Sequence, residues 1–178
     1  MLGYIIWFNL IIISNYFAAA YAQVRAELLI KTPYEALPDV LQENLPVLPK
    51  YIPDYILIAL GCCIYFLDMA TPLHEWNNLL CCLSLRPIFV CMTTFPTCMK
   101  KSKSPKMIIH QILHSTHDLM FSGHTCWFMF FGELIGGYTG NIVSFVLPLS
   151  LVQAKQHYTI DVVVSMLVYN AVSQVVLF

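Results

Sequence analysis

Four ionisable residues stand inside otherwise apolar runs of this chain: Arg86, His124, Glu133 and Asp161, with His157 at the mouth of the last run. Carrying such a group into hydrocarbon costs about 3 kcal/mol even on the lower scales, so each is a functional residue by default. His157 and Asp161 are four apart, a spacing that places both on one helix face. The carboxylate can then take a hydrogen bond from one imidazole nitrogen, fix the tautomer and leave the other nitrogen with a free lone pair. That is the logic of a nucleophile or base with an orienting acid behind it. His124, on another helix, is suited to give a proton. Ser122 and Gly123 before it mark a helix start, where the backbone can be approached closely and the N–H groups favour an anion. Two imidazoles, a carboxylate, a helix start and a buried arginine read together as a phosphoester site. The competing reading is a set of interhelical hydrogen bonds that glue a bundle.

The elements that must position these residues follow from composition. Of 178 residues, 58% are hydrophobic and only 11% charged, with a net charge of −1. Soluble domains average about 25% charged residues. A soluble enzyme and a disordered segment are excluded, and so is a nucleic-acid partner, which would need a basic excess. The seven cysteines form no CxxC, and most read as small apolar packers.

The fold expected is all-α, an integral multi-pass membrane protein with six transmembrane helices in a single domain. The apolar runs are residues 3–22, 53–70, 77–96, 121–140, 141–154 and 158–178, with long loops at 23–52 and 97–120. A span needs about 20 residues. The run 141–154 is short and carries Pro148, so it must begin earlier, lie in a thin region or be shielded. The run 3–22 is expected to be an anchor rather than a cleaved signal peptide, because no Lys or Arg precedes it. With six spans, Arg25, Lys31, Lys50, Lys100, Lys101, Lys103, Lys106 and Lys155 all fall on one side, and only Arg86 of the basic residues does not. The positive-inside rule makes that side cytoplasmic.

At the reactive residues the sequence resembles a known family. The stretch from Asp118 to Thr125, D-L-M-F-S-G-H-T, looks like a sphingomyelin synthase motif, and His157 to Val162, H-Y-T-I-D-V, looks like another. Arg86 with T-T-F-P at 93–96 resembles a third, and Leu37-Pro38-Asp39 resembles its L-P-D element. The wider type 2 phosphatidic acid phosphatase superfamily shares a six-helix core and a histidine nucleophile. Phe121 replaces that group's Pro before Ser-Gly-His, Leu151 replaces an Arg and Leu79 a Lys, losses that favour the synthase branch. His117 and Thr116 depart from the synthases, leaving head group and acceptor open.

The resemblance implies a lipid phosphotransferase. His157 would attack phosphorus, Asp161 would orient it, and His124 would protonate the leaving diacylglycerol. Arg86, Ser122, Gly123, Asp118 and Lys155 would hold phosphate or head group. Donor phospholipid and a ceramide or diacylglycerol-type acceptor are the partners, with surrounding membrane lipids, and the class leaves room for a homo-oligomer. Neither metal nor cofactor is required. If water replaced the acceptor, the same site would be a lipid phosphate phosphatase or a phospholipase C-like hydrolase. Most sphingomyelin synthases face the lumen or exterior, against the positive-inside count.

Two rivals exist. His110, His114 and His117 run as H-x3-H-x2-H, like the di-iron boxes of membrane desaturases, but six histidines in all are fewer than such boxes use. A non-enzymatic lipid-binding protein on a dead synthase fold would leave the intact His124, His157 and Asp161 unexplained. Glu133 is expected to point toward a neighbouring helix, away from the site.

Overall fold

A computed structural model describes residues 2–29, 38–67, 69, 71–93 and 121–176. Asp118, the histidines at 110, 114 and 117, Cys98, Leu37, Lys31 and the lysines at 100, 101, 103 and 106 lie outside the described residues. Every regular element among the described residues is helical: α1 (Leu2–Leu29), α2 (Val40–Asn44), α3 (Ile52–Phe66), α4 (Leu73–Met92), α5 (Gly123–Ile135), α6 (Gly137–Asn141), a π-helical turn (Ile142–Val146), α7 (Leu149–Gln153) and α8 (Thr159–Val176).

The core is built where α4, α5, the π turn and α8 meet, around Leu79, Cys82, Phe128, Phe130, Leu151, Val162 and Tyr169. Cys126 joins this core, whereas Cys62, Cys63 and Cys91 are exposed, so only part of the cysteine set packs inside. Glu133 accepts a hydrogen bond from the Tyr169 hydroxyl at 2.7 Å, tying α5 to α8 away from the histidines.

The run expected over 141–154 is not one regular helix. It starts earlier, at Gly137, winds through the π turn and passes Pro148 before α7. Gly136 and Gly137, at φ of 67° and 58°, break α5 from α6. Only glycine enters that region freely. After the break the chain packs tightly against α5: a Cβ at Gly132 would lie 2.6 Å from the Gly140 carbonyl oxygen and collide with Ser144 Oγ.

α1 packs along α4, and polar contacts join them from the first turn of α1 to near its end. Tyr4 OH donates to Asn77 Oδ1 at 2.9 Å, and Trp7 Nε1 to Ser84 Oγ at 3.0 Å. Arg25 reaches the Val90 and Cys91 carbonyls at the end of α4, where a cation suits the helix dipole. The other faces of α1 are apolar and exposed, including Ile6, Leu10, Ile13 and Phe17. Among the described residues one stretch, Gly3–Ala22, is long and apolar enough to cross a membrane; Ile52–Phe66 and Thr159–Val175 are shorter apolar helices.

Candidate active site

Three helix starts converge on the predicted residues. His124 is the second residue of α5, Asp161 lies in the first turn of α8, and Asp54 lies in the first turn of α3. Each start carries the positive end of a helix macrodipole. Those dipole ends favour a phosphate between them, while the carboxylates of Asp54 and Asp161 at two of the starts oppose it.

His157 is not on α8, as the four-residue spacing suggested, but in the bend before it. The pair forms nonetheless. His157 Nδ1 lies 3.5 Å from Asp161 Oδ2, and both side chains are almost fully buried, at 5% and 1% exposure. That separation is longer than a formed hydrogen bond, and catalytic contacts commonly tighten when substrate binds. The same Asp161 oxygen accepts from the Tyr158 N–H at 2.9 Å, so the carboxylate caps α8 and aims the imidazole together. Burial, the largest influence, pushes the His157 imidazole below its ordinary value; Asp161 opposes this, and the charges of His124 and Arg86 add to it. Neutral His157 is the form with a lone pair to donate.

The bend is pinned from outside the last helix. Asp39 accepts from Thr159 N–H at 2.6 Å and from Thr159 Oγ1 at 2.7 Å, and it also caps α2 through the Leu41 and Gln42 amides. Gln42 Nε2 donates to the His157 carbonyl at 3.2 Å, and Gln156 Nε2 donates to the Lys50 carbonyl. The L-P-D element noted in the sequence thus supplies an aspartate that fastens the turn carrying His157. For Asp39 itself, partial burial would raise the carboxyl, but the Thr159, Gln42 and Leu41 donors outweigh it and hold the group below its ordinary value.

His124 faces His157 across the site, with ring centroids 6.1 Å apart and planes at 60°. The register between their helices is set by Ser165. Its Oγ donates to the Asp161 carbonyl at 2.6 Å and accepts from the Ser122 N–H at 2.6 Å. Ser122 is fully buried, and its hydroxyl caps α5 by accepting from Thr125 N–H at 3.2 Å. The structure therefore gives Ser122 a capping duty at the start of α5.

Arg86 lies across the start of α5. Its Nε donates to the Phe121 carbonyl at 3.0 Å and one terminal nitrogen to Asn15 Oδ1 at 2.8 Å. A Cβ at Gly123 would sit 3.8 Å from Arg86 Cδ and Nε, in ordinary van der Waals contact with the arginine. Asn15 has a second function. Pro87 inside α4 has no N–H for the Leu83 carbonyl. Asn15 Nδ2 donates to that carbonyl at 3.1 Å. One side chain of α1 thereby satisfies the proline's defect and holds the neighbouring arginine. Lys155, two residues before His157, occupies the turn after α7 with φ of 53°.

Asp54, Asn15 and Ser165 touch the candidate residues or their helix starts, and sequence patterns missed all three. His124 Nε2 lies 3.1 Å from Asp54 Oδ1, with side chains 30% and 34% exposed, so this pair is the accessible half of the site. A cavity of about 320 Å³ opens beside it, walled by Leu57, Ile58, Trp127 and Phe131. Apolar walls with a few polar groups at one end fit an amphiphile.

Residues 115–176 match the family described as PAP2 superfamily C-terminal. The match spans about a third of the chain, including Asp118, His124, His157 and Asp161, and supports the phosphatidic acid phosphatase superfamily, a class of enzymes that act on phosphate esters and are typically membrane-associated. Comparison with curated proteins gives no match.

Proposed function

We propose that this chain is a multi-pass membrane lipid phosphotransferase that moves a phospho-head group from a phospholipid to a lipid alcohol, in the manner of sphingomyelin synthases. The observation that carries the reading is the buried His157–Asp161 pair with the His124 ring 6.1 Å away. A short path between two imidazoles is what a two-step transfer at one phosphorus needs.

The free His157 Nε2 lone pair attacks phosphorus, and the bond from phosphorus to the diacylglycerol oxygen breaks. His124 gives that oxygen a proton, while Asp161 stabilises the imidazolium formed at His157. The neutral His124 then takes the proton of an incoming lipid hydroxyl, whose oxygen attacks phosphorus as the phosphorus–nitrogen bond breaks. Acid–base help of this kind contributes roughly 10²–10⁴-fold. Arg86, with Lys155 and the three helix starts, lowers the cost of charge on the phosphoryl oxygens. The exposed apolar faces of α1, α3 and α8 support a lipid surround, in which the six apolar runs act as spans.

The test uses purified protein in vesicles containing head-group-labelled phosphatidylcholine with ceramide or diacylglycerol, read by mass spectrometry. Label appearing in the acceptor lipid is the expected result. Release of free phosphocholine alone would turn the reading to a hydrolase, and no head-group release of any kind would overturn it.

A further inference from the structure

We infer that Asp54 is the positioning residue of His124, so that the site holds two carboxylate–imidazole pairs, one for the nucleophile and one for the proton donor. The inference rests on the transferase reading above and adds to it a residue from the start of α3. His124 Nε2 and Asp54 Oδ1 are 3.1 Å apart, within reach of a charge-assisted hydrogen bond. With the Nε2 proton held by the carboxylate, His124 Nδ1 is the nitrogen that trades protons. In the first step Nδ1–H goes to the leaving oxygen. The neutral ring then keeps its Nε2 proton on Asp54 and presents a Nδ1 lone pair to the next hydroxyl.

The surroundings say what the leaving oxygen belongs to. Asp54 and His124 are the polar end of the cavity of about 320 Å³, and its other walls are Leu57, Ile58, Trp127 and Phe131. An alcohol leaving into that space carries an apolar body, so the pair serves the lipid fragment and not the water-soluble head group. The two pairs also differ in burial. His157 and Asp161 are nearly sealed, whereas His124 and Asp54 are about one-third exposed. A nucleophile benefits from exclusion of water, and a proton donor that must be recharged benefits from access to it.

The test separates proton donation from folding by changing the leaving group. Phosphatidylcholine leaves as an alkoxide and needs the proton, while 4-nitrophenyl phosphocholine leaves as a stable phenolate and does not. For Asp54→Asn, the first-turnover rate on the lipid is expected to fall by about 10²-fold. The first nitrophenolate release is expected to stay within about threefold of wild type. Asp54→Glu is expected to recover part of the lipid rate. Because the comparison is a ratio within one preparation, loss of folded protein cancels. Equal losses on both substrates, or no loss on either, would overturn the assignment. A second arm needs no turnover: nitrogen-15 NMR of labelled His124 is expected to show neutral imidazole protonated at Nε2 in wild type and a tautomer mixture in Asp54→Asn. Identical tautomers in both would also overturn it. Wild-type protein inactive on both substrates would sink the transferase reading, while the tautomer comparison would still decide the pairing.

Discussion

Replacing Asp39 by alanine is the perturbation that most directly probes how the His157 bend is held. The carboxylate accepts four hydrogen bonds: from Leu41 and Gln42 amides at 3.1 Å each, from Thr159 N–H at 2.6 Å and from Thr159 Oγ1 at 2.7 Å. It therefore serves the starts of both α2 and α8. Loss of one cap costs about 1 kcal/mol, with a range of roughly 0.5–2. Two caps and the Thr159 hydroxyl bond together amount to about 2–4 kcal/mol, kept well below the sum of four charged hydrogen bonds because water can replace part of them. If that whole amount is lost from the closed bend, the rate falls by about 30- to 1,000-fold. Asp39→Asn keeps a capping oxygen but loses the charge, and is expected to fall less, by about tenfold. The sign with pH is fixed by the lowered carboxyl: the contribution is complete above the ordinary carboxylate range and disappears as pH falls through the folded value. Head-group transfer in vesicles and thermal unfolding in detergent, each across pH, are the assays. Wild-type rate and unfolding midpoint for Asp39→Ala at neutral pH would refute the reasoning.

Other outcomes follow from the same geometry. Burial lowers the His157 imidazole below its ordinary value, so kcat/KM is expected to hold as pH falls through about 6.5 and to drop only lower, once His157 takes a proton. An acid limb above 6.5 would contradict this. Asn15→Ala removes an acceptor from Arg86 and a donor from the Leu83 carbonyl, and is expected to lower kcat/KM by roughly tenfold, the scale of about 1.4 kcal/mol. Unchanged kinetics would show that Arg86 needs no support from α1. Lys155→Gly relieves a left-handed residue while removing a charge, so the protein is expected to unfold no earlier than wild type while KM for anionic phosphate esters rises. An unchanged KM would remove Lys155 from the phosphate site.

The parts of this site legible in the sequence are those written in short local patterns. The capping serine, the glycine after it and His124 are contiguous, and Asp161 follows His157 by four residues, so their local arrangement could be read directly. One boundary differed: His157 sits before the helix, because Asp161 uses its carboxylate to cap the Tyr158 amide and starts α8 after the histidine. The fifth apolar run gave no sign of its π turn, which depends on packing of Gly132 against Gly140 and Ser144. The meeting of His124 with His157 was expected from their shared depth in two helices, but the other contacts between distant residues were not legible. Asp54 meets His124, Asn15 meets Arg86, and Ser165 meets Ser122 across different helices, and no periodicity encodes which polar residues of two helices will face each other. Asp39 was intermediate, visible through the L-P-D resemblance but not as the fastener of the His157 turn.

The most direct measurement of the central claim is capture of the covalent intermediate. Reconstituted protein is mixed with phosphorus-labelled phosphatidylcholine without acceptor lipid, quenched in alkali and mapped by mass spectrometry. The account predicts label with the head group on the peptide carrying His157, absent from His157→Ala and from Asp161→Asn while both variants still insert. Label on another residue, or turnover by His157→Ala at the wild-type rate, would contradict it.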